Sequence, residues 1–380
     1  MKRVLIFTTS SDSYNIAGRA IANGLATRYP SISFRLVDVY KGREQLDFQK
    51  VGRDMLTRAL AQKLEKDRYA KEKYADDDNV ARKLLAPYIN SVRDYVQYNI
   101  KSFEPDLVIC THILPAVIVS DMEKAGELSK VRSAYIECNY TVNPYVKIAN
   151  KMDYYICASK DLVKDFKRLG VKDSDRILDL GIPIISNIEN VMPKDEAREL
   201  LGLDKYNFTV LITNYTGKLG KTMQLVKAIS KKYDDVNIIV VSNKNIKLRD
   251  KIVAYSSKNK LKTIKVVTHT NNMGVLLSAS DVVMGKTGGM EVACAIAKHL
   301  PYIVTHKIRG LELSNLKYLK NKKLVINTRT TAQAVDVMDN LKNDIKYRKK
   351  CVKAQESVYR LNATDEIVKF LYHKHSDIDG

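Results

Sequence analysis

The 380-residue chain has no tryptophan and only seven phenylalanines, so its 22 tyrosines supply most of its aromatic surface. It has five cysteines, Cys110, Cys138, Cys157, Cys294 and Cys351, an odd number with no C-x-x-C pair. That excludes a disulfide framework and reads as reduced thiols of a cytosolic protein. No His/Cys cluster has metal-ligand spacing. Glycine (16) and proline (8) are too few for collagen, and 45% hydrophobic with 28% charged residues excludes disorder or coiled coil over the whole chain. No apolar run approaches the ~18 residues of a membrane-spanning helix. The apolar run in the N-terminal MKRVLIFTTSSDSYN is too short for a signal peptide and is followed by no small-residue cleavage site. A soluble or peripheral protein is expected, of two or three domains by length.

Acidic residues are also in deficit, 43 against 64 basic, a formal charge of +21. The excess is uneven: residues 1–150 carry about +5 and the remainder about +16. Two readings stand side by side, a Lys/Asn/Ile-rich composition decorating solvated faces and a field that attracts an anionic partner.

The pattern of short apolar runs separated by helical stretches is that of parallel α/β folding. Val4–Thr8 reads as a buried strand, 10–14 as a polar turn, Ile16–Tyr29 as a helix and Ser33–Val39 as a second strand. Residues 41–101 read as a charged helical excursion with tyrosines at intervals, either surface helices or an amphipathic element at a membrane interface. Strands are expected at 105–112, Ser133–Glu137 and Asp153–Ala158, and a junction at Gly181-Ile182-Pro183. A helix over Lys194–Leu201 closes on Gly202 as a C-terminal cap. A second series follows, with strands at Phe208–Thr213, Val236–Val241, Ile264–Val267, Asp281–Met284, Tyr302–Thr305 and Leu324–Ile326, and closing helices near 331–342 and 346–371. The expected architecture is two doubly wound α/β domains, residues 1–185 and 186–350, with a C-terminal helix and tail at 351–380.

In such a protein the default site is the cleft facing the carboxyl ends of the two sheets. The clearest local signal is SDVVMGKTGGMEVACAIA at 280–297, a strand running through Lys286-Thr287-Gly288-Gly289 into a helix. Glycines admit close backbone approach, and the first free N–H groups and dipole of a helix favour a phosphate. The turn is neither a Walker A loop nor G-x-G-x-x-G, and a tight turn with no ligand is the plain alternative. His112, ending the PDLVICTH strand, is a general-base candidate or a hydrogen-bonded structural histidine. His269 and His306, on either side of the 280–297 segment in sequence, stand under the same two readings.

These motifs, in this order, resemble the GT-B glycosyltransferases, and among them the processive diacylglycerol glucosyltransferases and monogalactosyldiacylglycerol synthases. The family's S-D-x-x-I-T-K-P-G-G is matched by Ser280–Gly289 with Thr287 in place of proline, and its D-N-M by Asn271-Asn272-Met273. Its P-G-Q-E-x-x-N-x-x-Y-L reads Arg309-Gly310-Leu311-Glu312-Leu313-Ser314-Asn315-Leu316-Lys317-Tyr318-Leu319 here. GIP at the junction and the K-x-x-A-R-x-x-L-G-L helix also recur. The resemblance implies two Rossmann-like domains facing across a cleft, a lipid acceptor on the N-terminal side and a UDP-sugar on the C-terminal side. It implies that Gly288 and Gly289 meet the diphosphate and that Gly217 allows close approach to it. Met273 would line the base pocket, and Glu312 and Asn315 would contact sugar or ribose. It implies no metal.

The departures are equally specific. The family's G-N-G-H loop reads Ser11-Asp12-Ser13-Tyr14 here, so Asp12 stands as base or helix cap. The segment T-D-F…H becomes Glu137-Cys138-Asn139-Tyr140. The ribose-binding glutamate position holds Cys294, with Glu291 one turn earlier. The expected function is transfer of a sugar from a UDP-sugar to a membrane lipid such as diacylglycerol. The alternative is a non-catalytic GT-B-like subunit supporting a partner glycosyltransferase. Either would sit peripherally on an anionic lipid surface at the cytoplasmic face of the membrane, without specific nucleic-acid binding.

Overall fold

The structure, a computed structural model, describes residues 1–10, 12–40, 78–189, 192–213, 219–243, 245–268, 272–306 and 311–376. The chain divides into two compact units. The first comprises Met1–Ser186 with Arg309–Asn315 and Arg360–Gly380, and the second Asn187–Ile308 with Leu316–Tyr359.

In the first unit, β1 (Arg3–Thr8), β2 (Ser33–Asp38), β3 (Leu107–Cys110), β4 (Arg132–Ile136), β5 (Tyr154–Ile156) and β6 (Ile177–Leu178) form one sheet in the order β2-β1-β3-β4-β5-β6. All its pairings are parallel. Crossovers include α1 (Asp12–Arg28), α2 (Asp78–Phe103), α3 (Ile113–Lys124) and α4 (Val163–Arg168). Central strands that are buried on both faces need uninterrupted apolar runs, and VLIF of β1 and LVIC of β3 supply them, all but fully buried. Residues 78–103 of the expected helical excursion are helical, and 41–77 lie outside the described residues. Asp121 of α3 holds α2 through two guanidinium groups, Arg82 at 2.9 Å and Arg93 at 3.1 Å.

The second unit is a second all-parallel sheet. Its strands are β7 (Phe208–Thr213), β8 (Val236–Val241), β9 (Ile264–Val267), β10 (Val282–Gly285), β11 (Tyr302–Val304) and β12 (Ile326–Asn327), ordered β12-β11-β10-β7-β8-β9. Short α5 (Ser186–Glu189) and α6 (Lys194–Leu200) lead into it. Then α7 (Leu219–Lys232), α8 (Ile246–Lys258), α9 (Met273–Ala279), α10 (Gly289–Ala297), α11 (Leu311–Asn321, of which the part to Asn315 belongs to the first unit), α12 (Thr331–Asn343) and α13 (Ile345–Gln355) follow. Ile212, Ile238, Val240, Val282, Met284 and Ile303 from the strands pack with Leu225, Ile229, Ile252 and Met338 from the helices. As expected, Gly202 ends α6 in the left-handed region (φ 64°), with Leu203 N–H returning to the Arg198 carbonyl.

The single closing helix read over 346–371 is instead two, α13 and α14 (Ala363–Ser376). The break holds Asn362 at φ 55°. Arg360 leaves the helical path there to bond the Asp179 carbonyl at 3.0 Å and its carboxylate at 2.8 Å. From this point the chain packs in the first unit: Tyr372 stacks on Tyr29 of α1 at 3.8 Å, Arg28 pairs with Asp365, and Thr364 Oγ1 donates to the Ile184 carbonyl.

Candidate functional site

Each sheet has one place where strand order reverses, and loops leaving the carboxyl ends of the two strands there form a natural ligand crevice. In the second unit that place lies between β7 and β10. The loop after β7, with Gly217, lies outside the described residues. The loop after β10 is fully placed. Gly288 is the N-cap of α10 with extended backbone (φ −67°, ψ 135°) and no capping side chain. Gly289, Met290 and Glu291 form the first turn, so the orphan N–H groups and positive dipole end of α10 open at Gly288-Gly289. A Cβ at Gly288 would lie 3.3 Å from Glu291 Oε2 and 3.6 Å from Lys286 Nζ. The structure thus gathers Lys286, Gly288, Gly289 and Glu291 at one helix start.

The loop rests on a bracket of buried polar side chains. Tyr302, at the start of β11 and 1% exposed, donates its hydroxyl to the Lys286 carbonyl at 2.6 Å. Thr305 N–H donates to the Gly285 carbonyl at 2.9 Å, and Thr213 Oγ1 reaches from β7 to the Met284 carbonyl at 3.3 Å. His306 N–H also points at the Gly285 carbonyl, and its buried ring sits with Nδ1 2.8 Å from Thr305 Oγ1. Gly285 makes this possible, because a Cβ there would collide with both Thr213 Oγ1 and Tyr302 Oη. The sequence gives no sign of Thr213, Tyr302 or Thr305; the only hint is a glycine one residue ahead of the Lys-Thr-Gly-Gly turn.

Met273 begins α9 and is half-buried. Its neighbour Gly274 abuts the Asn187 backbone so closely that no side chain fits. Asn271 and His269 lie outside the described residues. Cys294 is buried in α10. Burial, reinforced by the Glu291 and Glu189 carboxylates, pushes its thiol up to about 12, so it stays protonated and apolar.

In the first unit the order reverses between β1 and β3. Asp12 is the first residue of α1 after β1; its side chain lies outside the described residues. Two residues on, buried Tyr14 meets His112 edge-on, ring centroids 4.7 Å apart. His112 is 3% exposed and is the N-cap of α3, its Nδ1 accepting from Leu114 N–H at 3.2 Å. With Nδ1 accepting, the neutral ring carries its proton on Nε2, which is then a donor.

After β4 the chain buries a carboxylate. Glu137 is 1% exposed and accepts from Tyr135 Oη, Asn139 Nδ2 and Asn143 N–H, each at 2.9 Å. Burial and this carboxylate push the Tyr135 hydroxyl up, so it keeps the proton it donates. Asn315, fully buried in α11, completes the network. Its Oδ1 accepts from Tyr140 N–H (3.0 Å) and Thr141 Oγ1 (3.2 Å), and its Nδ2 donates to Asn139 Oδ1 (3.1 Å). The residue expected at sugar or ribose thus has its amide engaged with the 139–141 loop. Glu312 lies one turn earlier, half-buried.

Two parallel doubly wound sheets, each with its loop cluster at the strand-order reversal, define an α/β protein of GT-B type. Solved structures agree over the whole chain. UDP-GlcNAc 2-epimerase from Neisseria meningitidis bound to UDP-GlcNAc aligns with TM-score 0.63 at 16% identity, covering 98% of this chain and 100% of that one. Acinetobacter baumannii MurG aligns with TM-score 0.62 at 14% identity, with the same coverage. In sequence, residues 59–184 match the monogalactosyldiacylglycerol (MGDG) synthase family. The processive diacylglycerol beta-glucosyltransferase of Bacillus cereus is 25% identical over 288 residues, 76% of this chain and 72% of that one. The protein is therefore a GT-B-fold chain that resembles the diacylglycerol glycosyltransferases. No helix among the described residues is long and apolar enough to cross a membrane.

Proposed function

We propose that the chain transfers a hexose from a UDP-sugar to a diacylglycerol-type lipid acceptor, working peripherally on the inner face of the membrane. The observation that carries this reading is the open helix start at Gly288-Gly289, braced from beneath by Tyr302, in a chain whose relatives are named for diacylglycerol glucosyl transfer. The leaving diphosphate develops negative charge, and fixed N–H donors with the Lys286 ammonium stabilise it without reorganisation. The reading needs no resident metal, since helix dipole and lysine supply the positive charge. Met273 lines the base side, and Glu291 and Glu312 supply carboxylates for ribose or sugar hydroxyls. On the acceptor side Asp12, at the carboxyl end of β1, is the proposed base. His112, as a cap, holds the neighbouring loop.

The test is UDP release from UDP-glucose and related UDP-sugars with vesicles containing diacylglycerol. Turnover that falls at least tenfold in Gly288→Val supports the proposal. UDP-dependent thermal stabilisation with no UDP released from any donor refutes transfer and leaves a nucleotide-sugar-binding subunit.

A further inference from the structure

A nucleoside diphosphate presents phosphates, ribose and base in that order, and each needs its own partner. In the proposed site the phosphates lie at the Gly288-Gly289 start of α10 and the base beside Met273 at the start of α9. The ribose joins them, so it lies in the interval between these two helix starts. Its cis-diol offers two O–H donors, and a carboxylate is the side-chain group that accepts both.

From α10 the interval is lined by Glu291 and Cys294. Cys294 stands about 7.5 Å along the helix axis from Gly289, but its buried, protonated thiol is a weak acceptor and cannot serve a diol. Glu291 is committed to the phosphate end. Its Oε2 and the Lys286 ammonium lie 3.3 and 3.6 Å from the point where a Gly288 Cβ would stand, so the two share the space over the N-cap. The third wall is α5. A Cβ on Gly274 would collide with the Asn187 carbonyl and lie 3.5 Å from Ile188 Cα, so the backbone of α5 is seated on the first turn of α9, beside Met273. Ile188 is buried, which fixes the segment, and the next residue, Glu189, is half-buried. After burial and Glu291, the Glu189 carboxylate is the third influence that pushes the Cys294 thiol up. After burial, it also pushes up the Tyr359 hydroxyl, which keeps its proton at neutral pH. A carboxylate from α5 thus stands near the short Cys294 side chain, in the interval where the diol has to lie. Nothing in the sequence marks Glu189, because α5 reaches α9 and α10 only through the fold.

We propose that Glu189 accepts the ribose hydroxyls of the nucleotide and so selects a ribonucleotide donor. This rests on the donor reading of the Gly288-Gly289 start, and the test keeps the two apart without needing turnover. By charge alone, Glu189→Gln should tighten the binding of an anionic ligand, so weaker binding reports a lost hydroxyl contact. The full chain is titrated calorimetrically with UDP, 2′-deoxy-UDP and 3′-deoxy-UDP. A hydrogen bond to a charged group corresponds to about a tenfold preference of the wild type for UDP over one or both deoxy forms. Glu189→Gln should erase that preference, weakening UDP about tenfold while the disfavoured deoxy form binds as before or tighter. Glu199→Gln, an equal change of charge at an exposed position of α6, should keep the preference intact. A wild type with no preference, a Glu189→Gln protein that retains it, or equal weakening towards all three ligands overturns the proposal. Loss of the preference in Glu291→Gln but not in Glu189→Gln moves the ribose to Glu291 and overturns it as well. A wild type that binds UDP yet fails these comparisons leaves the donor reading standing, whereas one that binds none of the three ligands sinks the donor reading and this assignment with it.

Discussion

Gly285→Ala probes the bracket under the Lys286–Gly289 loop. The added methyl would press on Thr213 Oγ1 and Tyr302 Oη and lie 3.3 Å from Tyr302 Cζ. These groups have no slack: Tyr302 is 1% exposed at the start of β11, and Thr213 reaches the Met284 carbonyl. Overpacking a tight interior costs about 1–3 kcal/mol. Displacing the Tyr302 hydroxyl from the Lys286 carbonyl adds about 1 kcal/mol. The expected loss is thus about 2–4 kcal/mol in urea unfolding followed by circular dichroism. Thermal stabilisation by UDP should weaken as well, because Lys286 and the Gly288 N-cap hang from the displaced carbonyl. Tyr302→Phe should cost about 1 kcal/mol by itself. It also removes one of the two obstructing oxygens, so Gly285→Ala in that background should cost less than in the wild type, with about 1 kcal/mol of coupling. A Gly285→Ala protein within about 0.5 kcal/mol of wild type, or one equally destabilised in both backgrounds, refutes the bracket.

Asn315→Ala should cost about 2–4 kcal/mol, because it strands the Tyr140 N–H in the interior along with Asn139 Oδ1; urea unfolding checks this, and a near-neutral variant would return Asn315 to a ligand-facing role. Glu123, beside Asp153 and 3.1 Å from Ser133 Oγ, is pushed up to about 7, first by burial and then by the Asp153 carboxylate. Its folded pKa lies above its unfolded value near 4.5. The contribution is therefore full below about pH 4.5 and lost as pH rises through 7. Being half-exposed, Glu123 supplies on the order of 1 kcal/mol after solvent screening. Melting temperature against pH should fall less across that window in Glu123→Gln, and parallel profiles would refute the assignment.

Much of the architecture was legible in the residues themselves. Apolar runs such as VLIF, LVIC and IIVV read as central parallel strands, which are buried on both faces, and all three are. Gly202 announced its helix end, and Lys-Thr-Gly-Gly after a strand announced an open helix start, because both signals are local backbone requirements. Neither periodicity nor motif could place residues whose roles are set by distant partners. The helical pattern beyond 346 does not show a break, because it comes from Arg360 finding Asp179. Asn315 falls in register with a sugar-binding motif, yet its amide meets a loop some 175 positions earlier in the chain. Likewise nothing in PYIVTH says that Tyr302 would hold up the Lys286 carbonyl. Sequence by itself indicated the two parallel α/β units, eleven of their twelve strands to within a few residues and the site of the glycine turn, because burial periodicity and φ preference act within a few residues; the two-residue β6 (Ile177–Leu178) is too short to leave such a pattern. Only the tertiary structure decided that His112 caps α3 and that Glu137 and Asn315 share a network, because hydrogen-bond partners are chosen across the fold.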